Sequence, residues 1–208
     1  MLGTGNVTAT SDTERAGLLV GRISKSSSAA SGILAYNSSA KLTINGAEQT
    51  GEAVKAIGEG SLTYPEGVNE ADVIKAFTKQ QIKSGEVAYL LAEGKVLGEQ
   101  VWGQQLGKDQ YPVPGSDYKV IKAAQGDKDA NGNYTYWATF SNQTNDVTLS
   151  VPSESGRTLN VYNATVSGGK LTLTQRNNQV AKEEGVLLKT DGEYVLSLIH
   201  ISEPTRPY

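Results

Sequence analysis

The apolar residues of this chain come in short runs closed by small or turn-forming residues, and that punctuation limits what the chain can fold into. Gly17-Leu18-Leu19-Val20-Gly21-Arg22-Ile23, Gly32-Ile33-Leu34-Ala35-Tyr36 and Lys41-Leu42-Thr43-Ile44 are each followed by Ser or Asn. Runs of this length suit strands and are too short to supply the stripe of a helical bundle. Twenty-three glycines among 208 residues, with 38% apolar residues, point the same way: the expected fold is mainly β. No apolar run reaches the 18 or so residues that a membrane-spanning helix requires. Nineteen Lys+Arg stand against 22 Asp+Glu, a net charge of −3, so the basic surplus of a nucleic-acid binder is missing. Cysteine is absent, which excludes thiolate zinc sites, thiol nucleophiles and disulfides.

Three regions differ in pattern. Residues 1–62 carry the short β-like runs, the first two starting at Gly17 and Gly32, and this spacing suggests stacked rungs at the end of a parallel β-helix, or solenoid. The run ending at Ile44 is closed by the turn pair Asn45-Gly46. Residues 63–125 read as a short α-containing connector. Asn69 is a candidate N-cap, Val73, Ile74, Ala76 and Phe77 supply an apolar stripe, and Thr78 with Gln81 has the spacing of a capping box. The pattern continues through Ile82, Ala88, Leu91 and Ala92 as one kinked helix or two, with Gly85 inside and Gly94 as the stop. Residues 126–195 return to β. Strands are expected at 134–140, 147–151, 159–166, 170–174 and 186–189, with another starting at Tyr194 and a hairpin at Gly168-Gly169. Turn-bounded strands at this spacing suggest a C-terminal β-sandwich, truncated at Val195 and so left with an unpaired edge.

The tail 196–208 is of another kind. Leu196-Ser197-Leu198-Ile199-His200-Ile201-Ser202-Glu203-Pro204-Thr205-Arg206 resembles a translated adapter of transposase-based sequencing libraries, so the tail is expected to be non-native. The run contains His200, the single histidine, and on this expectation removes it from any catalytic or metal role. It holds one acid, Glu203, and one base, Arg206, so the net charge is unaffected.

Ser84-Gly85-Glu86-Val87-Ala88-Tyr89-Leu90-Leu91, Val101-Trp102-Gly103-Gln104-Gln105-Leu106-Gly107 and Tyr111-Pro112-Val113 resemble a segment of large cell-surface proteins of gut Bacteroidota and Firmicutes. In those proteins the segment follows β-helical arrays of the GLUG type, and Gly17-Leu18-Leu19-Val20-Gly21 is similar to such a repeat with one extra residue between the glycines. Residues 136–142, 159–164, 169–174 and 185–189 are similar to a C-terminal β-domain of the same proteins. The resemblance implies an extracellular or cell-surface, repeat-built protein, with signal and anchor outside this stretch, and supplies no catalytic residues.

Candidate chemistry is sparse. Asp127, Asp129 and Asn131, with Gly132 following, have the spacing of the first half of a calcium loop. The twelfth position is Ala138 where a glutamate is expected, and a solvated hairpin turn accounts for the same residues. Glu183-Glu184 reads as a turn, not as the facing carboxylates of a glycosidase. Tyr136 and Trp137 are candidate ligand-binding aromatics, although neighbours in a strand point to opposite faces. Trp102 is expected to pack near Tyr89. No catalytic set and no cofactor site is expected. The function expected is non-catalytic, an adhesion or scaffold protein fragment binding extracellular glycans or proteins. The alternative is an accessory, non-catalytic region of a secreted glycoside hydrolase or peptidase.

Overall fold

The computed structural model describes residues 1–10, 15–24, 32–93, 102–116, 118–143 and 146–201. Gly94 and residues 202–208 of the tail lie outside these. The chain is mainly β and divides into two compact units, Met1–Ile82 and Lys83–Tyr208. No helix among the described residues is long and apolar enough to cross a membrane.

The first unit contains β1 (Leu2–Gly3), β2 (Val7–Ala9), β3 (Val20–Arg22), β4 (Leu34–Asn37), β5 (Leu42–Ile44), β6 (Ala47–Glu48), β7 (Ile57–Glu59) and β8 (Ile74–Phe77). Its long-range pairings are parallel. β1 pairs with β4 and β4 with β8, with Leu2 opposite Ala35 and Leu34 opposite Ile74. β2 pairs with β5 through Val7 and Leu42, and β3 with β7 through Val20 and Ile57. The Gly17–Ile23 run therefore lies beside residues 57–59 and not beside the run that starts at Gly32. The stacking of those two runs on each other, expected from their spacing, is not what pairs. β5 and β6 form the expected hairpin at Asn45-Gly46, both residues having positive φ.

Close backbone packing explains the glycines of the first run. A Cβ on Gly17 would sit 2.5 Å from the Gly58 amide nitrogen and 2.7 Å from the Ala56 carbonyl oxygen. A Cβ on Gly58 would in turn sit 2.6 Å from the Ala16 amide nitrogen. A side chain at either position would force the two segments apart. In the same unit Leu18, Ala35, Leu42, Val73 and Phe77 are buried.

The expected helix over residues 69–92 is broken into three. Asn69 starts α1 (Glu70–Val73), and its N–H donates to Asp72 Oδ2 at 3.0 Å. The helix lasts one turn because Ile74–Phe77 is taken up by the parallel edge of β4. Strand pairing of β-branched and aromatic residues outweighs a stripe that also fits a helix. The capping box then forms as read. Thr78 N–H donates to Gln81 Oε1 at 3.0 Å, and Gln81 N–H to Thr78 Oγ1 at 3.2 Å, opening α2 (Lys79–Lys83).

In the second unit Gly85, at φ +93°, precedes α3 (Glu86–Leu91). Short strands β9 (Trp102–Gly103) and β10 (Val113–Pro114) pair beside it. Then come β11 (Tyr118–Lys122), β12 (Ala124–Lys128), β13 (Tyr134–Ser141), β14 (Val147–Ser150), β15 (Leu159–Ser167), β16 (Lys170–Arg176), β17 (Gln179–Val180), β18 (Gly185–Thr190) and β19 (Tyr194–Ile201). They form two antiparallel sheets, in the orders β11-β19-β14-β17 and β12-β13-β18-β15-β16. One apolar core draws on both: Ile121, Val147, Leu149, Val180 and Val195 from the first sheet, Phe140, Val161, Val186 and Leu188 from the second. Gly168 and Gly169, both at positive φ, turn β15 into β16. α3 packs on β11 through Ala88, Leu106 and Val120, and the ring partner of Tyr89 is Tyr194, at 5.9 Å, while Trp102 lies in β9 beside the same helix. The stretch expected as a connector over 63–125 is thus shared between the units, with β11 an integral strand of a sheet.

β19 runs past Val195 to Ile201 and lies between β11 and β14. The edge expected to be open at Val195 is therefore filled, by residues of the adapter-like run. The run holds no proline, so each of its residues has an N–H to give to the ladder.

Two outcomes follow from this packing. At Gly85 a Cβ would meet Leu106 Cδ2 at 3.1 Å and Val120 Cγ1 at 3.2 Å, on top of the left-handed backbone. Gly85→Ala is expected to cost about 2 kcal/mol in chemical denaturation. Burial, with Glu193 and Glu86 nearby, pushes the Tyr194 phenol from its ordinary 10.0 up to about 12. Above pH 10 the unfolded chain gives up this proton first, so stability is expected to fall as pH rises towards 12. Melting curves of Tyr194→Phe should show a smaller loss over that window.

Candidate functional site

The calcium-loop candidates sit in the hairpin joining β12 to β13. Asp129 Oδ1 accepts the amides of Asn131 and Asn133, both at 2.9 Å. The Asp129 amide donates to the Asn133 carbonyl at 2.8 Å, and Gly132 N–H donates to the Asp129 carbonyl at 3.0 Å. The Asp127 carbonyl accepts the Thr135 hydroxyl at 2.7 Å. The spacing of Asp, Asn and Gly is thus accounted for by a turn in which an aspartate side chain holds the backbone. Among the described residues no group of three or more His, Cys, Asp or Glu is placed to hold a metal ion.

Tyr136 and Trp137 face opposite sides of the five-stranded sheet. Trp137 packs against Gly126, where a Cβ would lie 2.9 Å from the indole Cδ1. Its Nε1–H donates to Thr135 Oγ1 at 3.1 Å, and the Tyr162 ring is 6.0 Å away, tilted by 48°. Lys189 Nζ covers the indole at 5.5 Å from its centroid. This aromatic is committed to its own sheet.

Tyr136 shares its face with Ala138 and Phe140, and a cleft of about 610 Å³ lies at this end of the sheet. Three elements build the walls. The β12–β13 hairpin brings Asp129, Asn133 and Tyr134. The start of β15 brings Thr158 and Asn160, and the end of β18 brings Lys189, Thr190 and Asp191. Register divides them between the two faces: Tyr136 and Thr190 share the face of Leu159, while Asn160 and Lys189 lie with Thr135 on the face of Trp137. Asp191 is fixed by the Thr158 amide, which donates to its Oδ1 at 3.1 Å, and Arg157 Nη1 donates to the Asp191 carbonyl at 3.3 Å. Asn160 Oδ1 accepts Gln175 Nε2 at 3.1 Å. Thr190 is 3% exposed and its hydroxyl has no partner. Lys128 Nζ lies 5.0 Å from the centroid of the Tyr134 ring. A smaller hollow of about 310 Å³ lies over Gly185, but Thr139 and Ser141 are its only polar side chains.

Glu183 and Glu184 serve a turn. Glu184 Oε2 accepts the Ala181 amide at 3.0 Å and its other oxygen meets Arg176. The Ala181 amide first, and then Arg176, hold this carboxyl below its usual range. Glu183 is exposed, at φ +63°.

Of the expected site residues the cleft gathers Asp129 and Tyr136. Asp127, Asn131 and Trp137 are not among its walls. Thr158, Asn160, Thr190 and Asp191 were not singled out by sequence, because nothing local distinguishes them from other strand-end polar residues. No family model, curated protein or solved structure matches the chain.

The hairpin geometry separates two variants. Asp129→Ala removes the acceptor of two amides and is expected to lower stability by about 1–2 kcal/mol. Asp129→Asn keeps Oδ1 and should stay within about 0.5 kcal/mol of the parent in urea denaturation.

Proposed function

We propose that the chain is a non-catalytic part of an extracellular or cell-surface protein of the adhesion or scaffold type, the end of a parallel β-solenoid followed by a β-sandwich. The observation that carries this reading is the set of parallel pairings in the first unit. β1 on β4 on β8, β2 on β5 and β3 on β7 all join successive passes of the chain in the same order. Such stacking is what a solenoid repeats, each pass burying its apolar residues on the next. The glycines that let Gly17 approach Gly58 support a repeat-built first unit in the same way. The second unit, with its shared core and its cleft at one sheet end, supplies a rigid support for binding.

Location is the direct test. Antibodies raised against the chain should label intact cells of the source organism, and treatment of those cells with proteinase K should abolish the signal. Labelling that appears only after lysis overturns the reading.

A further inference from the structure

We propose that the outer face of the five-stranded sheet, together with the end of the β15–β16 hairpin, is the interface of a two-fold dimer whose other half is a second copy of this chain. The inference goes beyond the reading of location and does not depend on it.

β15 pairs with β18 only from Leu159 to Tyr162, but with β16 all the way to Ser167. Beyond Tyr162 the hairpin is therefore an arm of two strands, and a ribbon of that kind is marginal in water by itself. Its two sides differ. Asn163, Thr165, Ser167, Lys170, Thr172 and Thr174 form one, which is polar throughout. Ala164, Val166, Leu171 and Leu173 form the other, with Val166 opposite Leu171 and the two 74% and 55% exposed. Such an alternation belongs to a ribbon that covers one side, and here that side stands in water.

The apolar side of the arm continues into the sheet. Tyr162 lies opposite Leu187, which lies opposite Thr139, and Ala164 and Leu187 border the hollow of about 310 Å³ over Gly185. Gly185 leaves this space open, since a Cβ there would meet nothing within 4 Å. In β13, β15, β16 and β18 the face carries one charged side chain, Lys189, and an aromatic pair, Trp137 and Tyr162. Few charges beside aliphatic and aromatic groups is the composition of an interface centre.

A second copy fits because the face carries both halves of a contact. Val166 and Leu171 protrude, and Ala164, two residues along the strand from Val166, borders the hollow. A two-fold axis between protrusion and hollow lays the arms antiparallel and seats each Val166–Leu171 pair in the partner's hollow, the self-complementary arrangement of an isologous contact. About 310 Å³ is roughly ten times the share of one water, enough for aliphatic side chains. Charge is consistent with this. Lys189 lies on the far side of Leu187 from the arm, so the same axis carries the two ammonium groups away from each other and no like charges meet in the overlap. The face measures on the order of 500 Å², and a pair would bury on the order of 1,000 Å², the size of a weak, concentration-dependent dimer.

Sedimentation velocity of the full chain from about 1 µM to about 500 µM is the test. The mass should rise from that of one 22.0 kDa chain towards that of two. Leu171→Lys and Val166→Lys put a charge into the contact on an arm that is already exposed. Each should keep the parent's melting temperature and weaken association at least about tenfold. Gly185→Leu fills the hollow from within and should do the same with the arm intact. Thr172→Lys, on the polar side of the arm, should associate as the parent does. A chain that stays single over the whole range overturns the inference, as does a dimer that withstands all three substitutions or that Thr172→Lys weakens equally. Loss in the two arm variants with an undisturbed Gly185→Leu dimer overturns the pairing of protrusion with hollow on which it rests. A mass that passes two chains and keeps rising overturns it too, because a two-fold contact closes on itself.

Discussion

β19 is hydrogen-bonded along both edges, to β11 on one side and β14 on the other, and the four-stranded sheet holds together through it. Its start also sets the inside of the second unit. Val195 is fully buried in the core shared by the two sheets, and Tyr194 meets Tyr89, bringing the helix onto β11. If β19 were absent, β11 and β14 would each present a row of unpaired amides and carbonyls, and Val120, Ile121, Val147 and Leu149 would border the gap. The requirement on the residues that fill such a position is one of pattern. A strand there must have amides to donate along both edges, which Leu196–Ile201, free of proline, satisfies whatever its origin.

The same distinction between pattern and pairing explains what was legible in the sequence. The strands of the second unit are readable from Val147/Leu149 and Leu171/Leu173 alternation and from Gly168-Gly169, because each signal is local. The Thr78–Gln81 box is local too, and forms as its spacing implies. Val73–Phe77 is different. Its apolar residues fit a helical stripe and a strand equally, and the outcome was decided by β4, forty residues away in sequence terms of Leu34 opposite Ile74. Likewise the spacing of Gly17 and Gly32 suggested neighbours, while the backbone contact that requires a glycine at Gly17 is with Gly58. Long-range parallel partners leave no mark at the residue level beyond the need for glycine.

The site follows the same rule. That Tyr136 and Trp137 face opposite ways is a property of any strand, and was readable. Which of them borders a cleft was not, because the other walls come from β15 and β18 through register. Tyr136 meets Thr190, and Thr190 meets Leu159. A slip of one residue in β18 would take Lys189 off the face of Trp137 and Thr190 off its buried face.

The position of the cleft is itself a consequence of how the sheet ends. Within the core, side chains on the face of Tyr136 meet the other sheet, as Phe140 and Leu188 do. At this end of the sheet β15 begins with Leu159, still packed on the core, and β18 ends with the buried Thr190, so only the residues just outside the strands and the β12–β13 hairpin reach past the last core layer. Side chains there have neither a packed core nor a flat surface, and apolar residues would be left half-wet. Polar residues take these places because water or a ligand can complete their hydrogen bonds. Asp129 and Asp191 each turn one carboxylate oxygen to the backbone, Asp129 to the amides of Asn131 and Asn133 and Asp191 to that of Thr158. Rigidity of the turn and chemistry of the site are for that reason set by the same side chains. A substitution that keeps Oδ1 and changes only the charge separates the two roles.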